Sequence, residues 1–190
     1  MPIDIRGWIY VSWVCFFLIW MIWGITAKRA VRRQSARSRL VQAALLVPAF
    51  WMLVTPAFRV GPLGWRILQH SAVTAYAAVA LTAIGFGIAI WARLHLGGNW
   101  SANVTVKQDH RLVQSGPYAI VRHPIYTGML VAALGLAILN GDLRSFLAIA
   151  LMVVGWREKF TLEEAFMTEQ FGEEYRKYRR QVKALIPFLW

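Results

Sequence analysis

The chain has 190 residues, enough for one compact domain, yet 58% are hydrophobic, 16% are charged and the mean hydropathy is +0.46. That balance excludes an ordinary soluble domain and favours a polytopic membrane protein. One cysteine, Cys15, excludes an internal disulfide and a cysteine-based zinc cluster, and the net charge of +12 takes its meaning from where the basic residues fall.

The first apolar run, residues 8–27, is long enough to span a bilayer and shows no convincing cleavage site. KRAVRRQSARSR follows at once, a stop-transfer pattern, so the run is expected to be a retained transmembrane helix rather than a signal peptide. Two further runs, 40–58 and 71–92, approach the roughly 20 residues that a crossing helix needs. The apolar region 125–156 is interrupted by Asn140-Gly141-Asp142, a strong turn signal, and divides into helices at 125–139 and 143–156. Both are short for spanning, and the second can run on past Trp156 into the polar segment behind it. The expected fold class is therefore all-α: one membrane domain, 1–190, of about five transmembrane helices. Its last two spans form a helical hairpin, and a cytoplasmic helical segment follows.

Segments 28–39, 93–124 and 157–190 hold seventeen of the 21 Lys and Arg residues, and 1–7, 59–70 and 140–144 hold the other four. The positive-inside rule assigns the first set to the cytoplasm, with the N-terminus outside and the C-terminus inside. The expected setting is a bacterial inner membrane. This asymmetry, with contact to anionic membrane lipids, explains the net charge better than nucleic acid does, and no nucleic-acid motif is present. The two longest segments outside the spans, 93–124 and 157–190, thus share one face and hold nearly all the candidate polar groups.

In the loop, Gly97-Gly98 and Gly116-Pro117 break any continuous helix. Pro124 suits the first position of the next helix, where a missing N–H costs nothing, and His123 before it is restricted to extended backbone. The N–H groups of Ile125 and Tyr126 then form a potential anion site, with Arg122 adding positive charge. Gly128 permits close approach, and Tyr118 and Tyr126 offer apolar faces with polar tips, suited to a nucleoside or a cationic centre. Arg and Tyr are also ordinary residues of a membrane interface, so any one of them alone signifies little.

Six of the nine acidic residues lie in the C-terminal segment. Glu169, Glu173 and Glu174 read as solvated charges on an amphipathic surface helix with a break near Gly172. Glu163 and Glu164 lie within about two turns of the membrane exit, close enough to face the loop. Arg157, seven residues before Glu164, shares its helix face. The four histidines lack zinc-ligand spacing, so no metal site is expected, and no Rossmann, P-loop or Ser/His/Asp signature is present.

Leu112-Val113-x-x-Gly116-Pro117-Tyr118 and Arg122-His123-Pro124-x-Tyr126-x-Gly128 are followed by Glu163-Glu164, Phe171-Gly172-x-x-Tyr175-x-x-Tyr178 and Ile186-Pro187. In that order, over roughly 95–187, the motifs resemble the isoprenylcysteine carboxyl methyltransferase family of integral-membrane methyltransferases, related to phospholipid N-methyltransferases. The resemblance implies S-adenosylmethionine (S-adenosyl-L-methionine) as cofactor. His110, Leu112, Gly116, Tyr118, Arg122, His123, Pro124 and Tyr126 would line its pocket, and Arg157, Glu163 and Glu164 would complete it and orient the acceptor. The expected substrate is a lipid-like, isoprenoid or prenylated amphiphile, with carboxylate O-methylation favoured over phospholipid N-methylation. Because some membrane sterol reductases resemble the Arg-His-Pro element, an NADPH-dependent reductase is the second expectation. A non-catalytic scaffold binding anionic lipid is the third.

Overall fold

The structure, a computed structural model, describes residues 4–24, 30–33, 35–97, 105–107 and 112–189. Among them are six α-helices: α1 (Ile5–Gly24), α2 (Ala36–Val54), α3 (Ala72–Leu96), α4 (Pro124–Asn140), α5 (Leu143–Phe171) and α6 (Glu173–Gln181). The architecture is all-helical as expected, apart from a short antiparallel ribbon that pairs β1 (Ala30–Arg33) with β2 (Thr105–Lys107). Helices α1, α2 and α3 are long and apolar enough to cross a membrane. Large apolar side chains on them, such as Val11, Met21, Trp51 and Val73, face outward, as lipid contact requires.

Local chemistry sets the helix ends. Ser35 caps α2 by accepting from the Ser38 N–H, and the helix stops where Pro56 opens a 3-10 turn. A Ser71–Thr74 capping box starts α3, which runs to Leu96, beyond the apolar stretch ending at 92. Helix α1 ends at Gly24, so 25–27 of the expected first span lie outside the described residues. Asn140-Gly141-Asp142 forms the hairpin turn. Gly141 closes α4 at φ 66°, with its N–H donating to the Ala137 carbonyl, and Asp142 opens α5 by accepting from the Ser145 N–H. Helix α5 then continues unbroken for 29 residues, past Trp156, until Gly172 separates it from α6.

Small residues draw α3 and α4 together. A Cβ on Gly128 would lie 2.5 Å from the Gly85 carbonyl oxygen and 2.7 Å from the Ala89 nitrogen, so the helices pass at backbone contact. Ala132, Leu136 and Ala137 of α4 join Ala49 and Leu53 of α2 and Ala148 and Met152 of α5 in the buried core. This packing holds the start of α4 beside the middle of α5.

Candidate active site

Pro124 is the first residue of α4, His123 is its cap, and the helical ladder begins with the Thr127 N–H donating to the His123 carbonyl. The N–H groups of Ile125 and Tyr126 therefore stand ahead of the ladder. The backbone just before is held from outside. The N–H groups of Arg122 and His123 donate to the carbonyls of Lys183 and Ala184, at 2.7 and 3.0 Å. The Thr127 hydroxyl donates to the Leu185 carbonyl at 2.7 Å. Residues 182–185 form a strap across the mouth of α4. Sequence reasoning missed it, because backbone pairing carries no residue signature.

Helix α5 brings Glu163 and Glu164 to the same place, with His123 between them. Its Nε2 is 3.0 Å from Glu164 Oε1 and its Nδ1 is 3.5 Å from Glu163 Oε2. Glu164 is saturated: Oε1 also meets Arg122 Nε at 2.8 Å and Nη2 at 2.7 Å, and Oε2 meets Arg179 Nε at 3.1 Å. Arg122 in turn donates to the carbonyls of Arg179 and Val182. Glu163 is less filled. Its Oε1 accepts from the Tyr126 hydroxyl at 2.6 Å, and its side chain is 22% exposed against 6% for Glu164.

Phe160, His123, Tyr126 and Trp156 stack in a row, with neighbouring ring centroids 4.9, 5.7 and 5.8 Å apart. The Lys159 ammonium lies 5.5 Å from the centre of the Tyr126 ring. Trp156, Phe160 and Glu164 follow one another at four-residue spacing along α5. That spacing is the signal that would have placed the two rings beside the carboxylates.

Burial opposes charge on His123, but its hydrogen bonds to Glu163 and Glu164 outweigh that and raise its pKa above the ordinary value. Burial pushes both carboxyl groups up, yet His123 foremost, with Lys159 for Glu163 and Arg122 for Glu164, holds them below the usual range. The imidazole is clamped between two carboxylates that favour its protonated form. Burial pushes the Tyr118 phenol up, so it stays protonated.

Tyr118 sits deeper. Its hydroxyl donates to the Ala92 carbonyl at 3.5 Å, its carbonyl accepts from the Tyr178 hydroxyl at 2.6 Å, and its ring stacks on His95. Gly116, at φ 59°, passes so close to His95 that a Cβ there would meet the ring at 2.8 Å. Leu112 is half-buried, and His110 lies outside the described residues. Arg157 is exposed and is not brought into the cluster. It shares a helix side with Glu164, but Arg122, Arg179 and the strap converge only at the level of Glu164.

A family model described as phospholipid methyltransferase matches residues 73–174. Over 103 residues the chain is 38% identical to a protein-S-isoprenylcysteine O-methyltransferase of Schizosaccharomyces pombe, covering 52% of this chain and 43% of that protein. Over 86 residues it is 36% identical to protein-S-isoprenylcysteine O-methyltransferase B of Arabidopsis thaliana, covering 44% and 43%. A solved structure of the eukaryotic intramembrane Ras methyltransferase ICMT (isoprenylcysteine carboxyl methyltransferase) superposes with a TM-score of 0.53 at 26% identity. That match covers 84% of this chain and 55% of the other. The chain spans less than half the length of these curated relatives. With its three apolar helices, the likeness makes this an integral membrane protein, and it does not favour the reductase.

Proposed function

This chain belongs to the phospholipid methyltransferase family, and from that premise we propose that it is an S-adenosylmethionine-dependent methyltransferase. It acts on a lipid-like or prenylated amphiphile, methylating a carboxylate oxygen, at the cytoplasmic face of a five-span membrane domain with its N-terminus outside. The observation that carries this reading is Glu163, an ionised carboxylate with room for another partner at the edge of a four-ring stack.

This donor set fits a cofactor that brings an ammonium, a carboxylate, a sulfonium and an aromatic base. Glu163 would bind the ammonium, the N–H groups of Ile125 and Tyr126 would take the carboxylate, and the ring stack would wall the site. Gly116 and Tyr118 shape the inner wall, and Leu112 lies on the loop that leads to them. S-adenosylmethionine, when bound, supplies an electrophilic methyl group. Arg122 serves differently from the expectation: its guanidinium is filled by Glu164 and by the carbonyls of Arg179 and Val182, so it positions the carboxylate pair. A carboxylate acceptor arrives ionised and needs no general base. The protein's task is then alignment and exclusion of water.

Isothermal titration in detergent tests this. Wild-type protein is expected to bind S-adenosylhomocysteine, and Glu163→Gln to bind it about tenfold more weakly or worse, as loss of a charge-assisted hydrogen bond implies. NADPH is expected to give no heat. Wild-type protein that ignores S-adenosylhomocysteine, or binds NADPH in its place, overturns the assignment.

A further inference from the structure

Residues 185–189 sit at a level where a solvated segment would not. Leu185 is buried in one cluster with Phe160 of α5, and Leu130 of α4 packs against that cluster. Leu130 lies more than one turn inside α4 and Phe160 about one turn beyond Trp156, so Leu185 is level with the end of the apolar hairpin. From there the chain turns outward. Ile186, Phe188 and Leu189 are exposed, Phe188 to 94%.

The turn closes with the Leu189 N–H donating to the Ile186 carbonyl at 3.2 Å, and Phe188 takes φ 65°. Two places into a turn, after a proline, that conformation ordinarily goes to glycine. A turn that only reversed the chain would gain nothing from a phenyl ring there. Just before it, Arg176, Lys177, Arg179, Arg180 and Lys183 are exposed, five basic residues against Glu173 and Glu174.

We propose that 176–189 is a docking surface for anionic lipid of the bilayer that houses the protein. The basic residues meet headgroups, Ile186, Phe188 and Leu189 enter the interface, and the anchored tail holds the strap 182–185 on the mouth of α4. Charge complementarity selects this occupant: apolar side chains beside a basic surplus match the boundary between acyl chains and anionic headgroups. Arg176 and Arg180 contact Glu173, and Arg179 holds Glu164, so the surplus as a whole supplies the attraction. The coupling is short, because the carbonyls of Lys183 and Ala184 that hold Arg122 and His123 lie just before the tail. None of this depends on the reaction the site performs.

The test uses the full chain in nanodiscs, with Cys15→Ser and Leu189→Cys, the new thiol carrying an environment-sensitive nitrobenzoxadiazole label. Phe188 is kept or replaced by glycine, a change that suits the turn and removes only an exposed ring. Nitroxide-bearing lipid is expected to quench the label several-fold more than aqueous iodide. Phosphatidylglycerol strengthens that preference, salt weakens it, and Phe188→Gly reverses it. In the same discs, Phe188→Gly is expected to speed hydrogen exchange at the Arg122 and His123 amides several-fold.

A label open to iodide in every lipid overturns the docking, and so does one shielded from both quenchers, as a second copy over the tail would leave it. Insertion indifferent to phosphatidylglycerol overturns the anionic preference. A membrane-inserted label with unchanged amide exchange overturns the link to the strap.

Discussion

Two buried arginine–carboxylate clusters stand at opposite ends of the α4–α5 hairpin, and they differ in what they leave open. At the turn, Arg144 and Asp142 are 1% and 2% exposed. Asp142 Oδ2 accepts from Arg144 Nε at 2.9 Å and Arg59 Nε at 2.7 Å, and Oδ1 accepts from the Ser145 hydroxyl at 2.6 Å. Arg144 also donates to the carbonyls of Met52 and Thr55, and Asn140 donates to that of Leu53. These carbonyls lie at the end of α2, where the helical ladder runs out of donors. The cluster is a closed lock joining α2, α4 and α5. At the other end Glu164 is equally full, but Glu163 beside it keeps capacity and is walled by rings. A buried ion pair therefore says little about function, and the unfilled group next to it says more.

Breaking the lock should give the largest effect. Arg144→Ala removes one partner of a buried pair, and such losses cost about 3–5 kcal/mol. Denaturant titration in mixed micelles measures this, and a cost below about 1 kcal/mol would erase the contrast between the clusters. Glu163→Gln is expected to do the reverse. Unfolding costs less than for Arg144→Ala, since Glu164 still pairs with His123 and the amide keeps the shape, while kcat/KM for methyl transfer falls about 100-fold. Comparable losses of stability in both variants would make the two ends alike.

Gly128→Ala lies between these extremes. The added methyl meets the backbone of Gly85 and Ala89, an overpacking expected to cost about 1–3 kcal/mol. Because Gly128 is one turn above His123, the wedge also shifts the site. S-adenosylhomocysteine affinity should fall along with thermal stability, whereas Arg144→Ala, at the remote end, should spare the affinity of whatever fraction stays folded.

The site was legible where it rests on local backbone chemistry. Pro124 starts α4 and Gly141 ends it because of their own dihedral limits, whatever packs around them. The Glu163–Glu164 pair reaches the loop because α5 runs on past Trp156, which the missing breaker there already implied. The rest depends on contacts that cross the chain. In a count of positive charges Arg144 looks like Arg66, since its carbonyl partners lie 92 and 89 residues away. Arg122 reads as a free cation because its partners, Glu164 and the carbonyls of Arg179 and Val182, lie 42 or more residues away and the carbonyls leave no side-chain mark. Spacing puts Arg157 on the face of Glu164 but does not reveal what covers that face.

The smallest expected effect separates the clusters most cleanly, because one contains an imidazole and the other does not. The folded pKa of His123 is raised above its ordinary 6.5. Its contribution to stability is therefore complete below about pH 6.5 and lost as pH rises through the raised folded value. Glu163 and Glu164, lowered from 4.5, contribute above that value and lose it as pH falls through their lowered ones. Burial pushes Asp142 up, but Ser145, Arg59 and Arg144 outweigh it and lower its pKa from 3.8, so the lock has an acid limb of the same sign. It has no alkaline limb, since arginine keeps its charge. The difference in unfolding free energy between wild type and His123→Asn should shrink as pH rises from about 6 to about 9, while that for Arg144→Ala stays flat. If the His123→Asn difference were also flat, the ring between the carboxylates would be neutral throughout, and the two clusters would hold their acids together by the same means. If it shrinks, the site alone depends on a proton that it can lose, and Glu163, with fewer partners than Glu164, is the carboxylate that this loss frees.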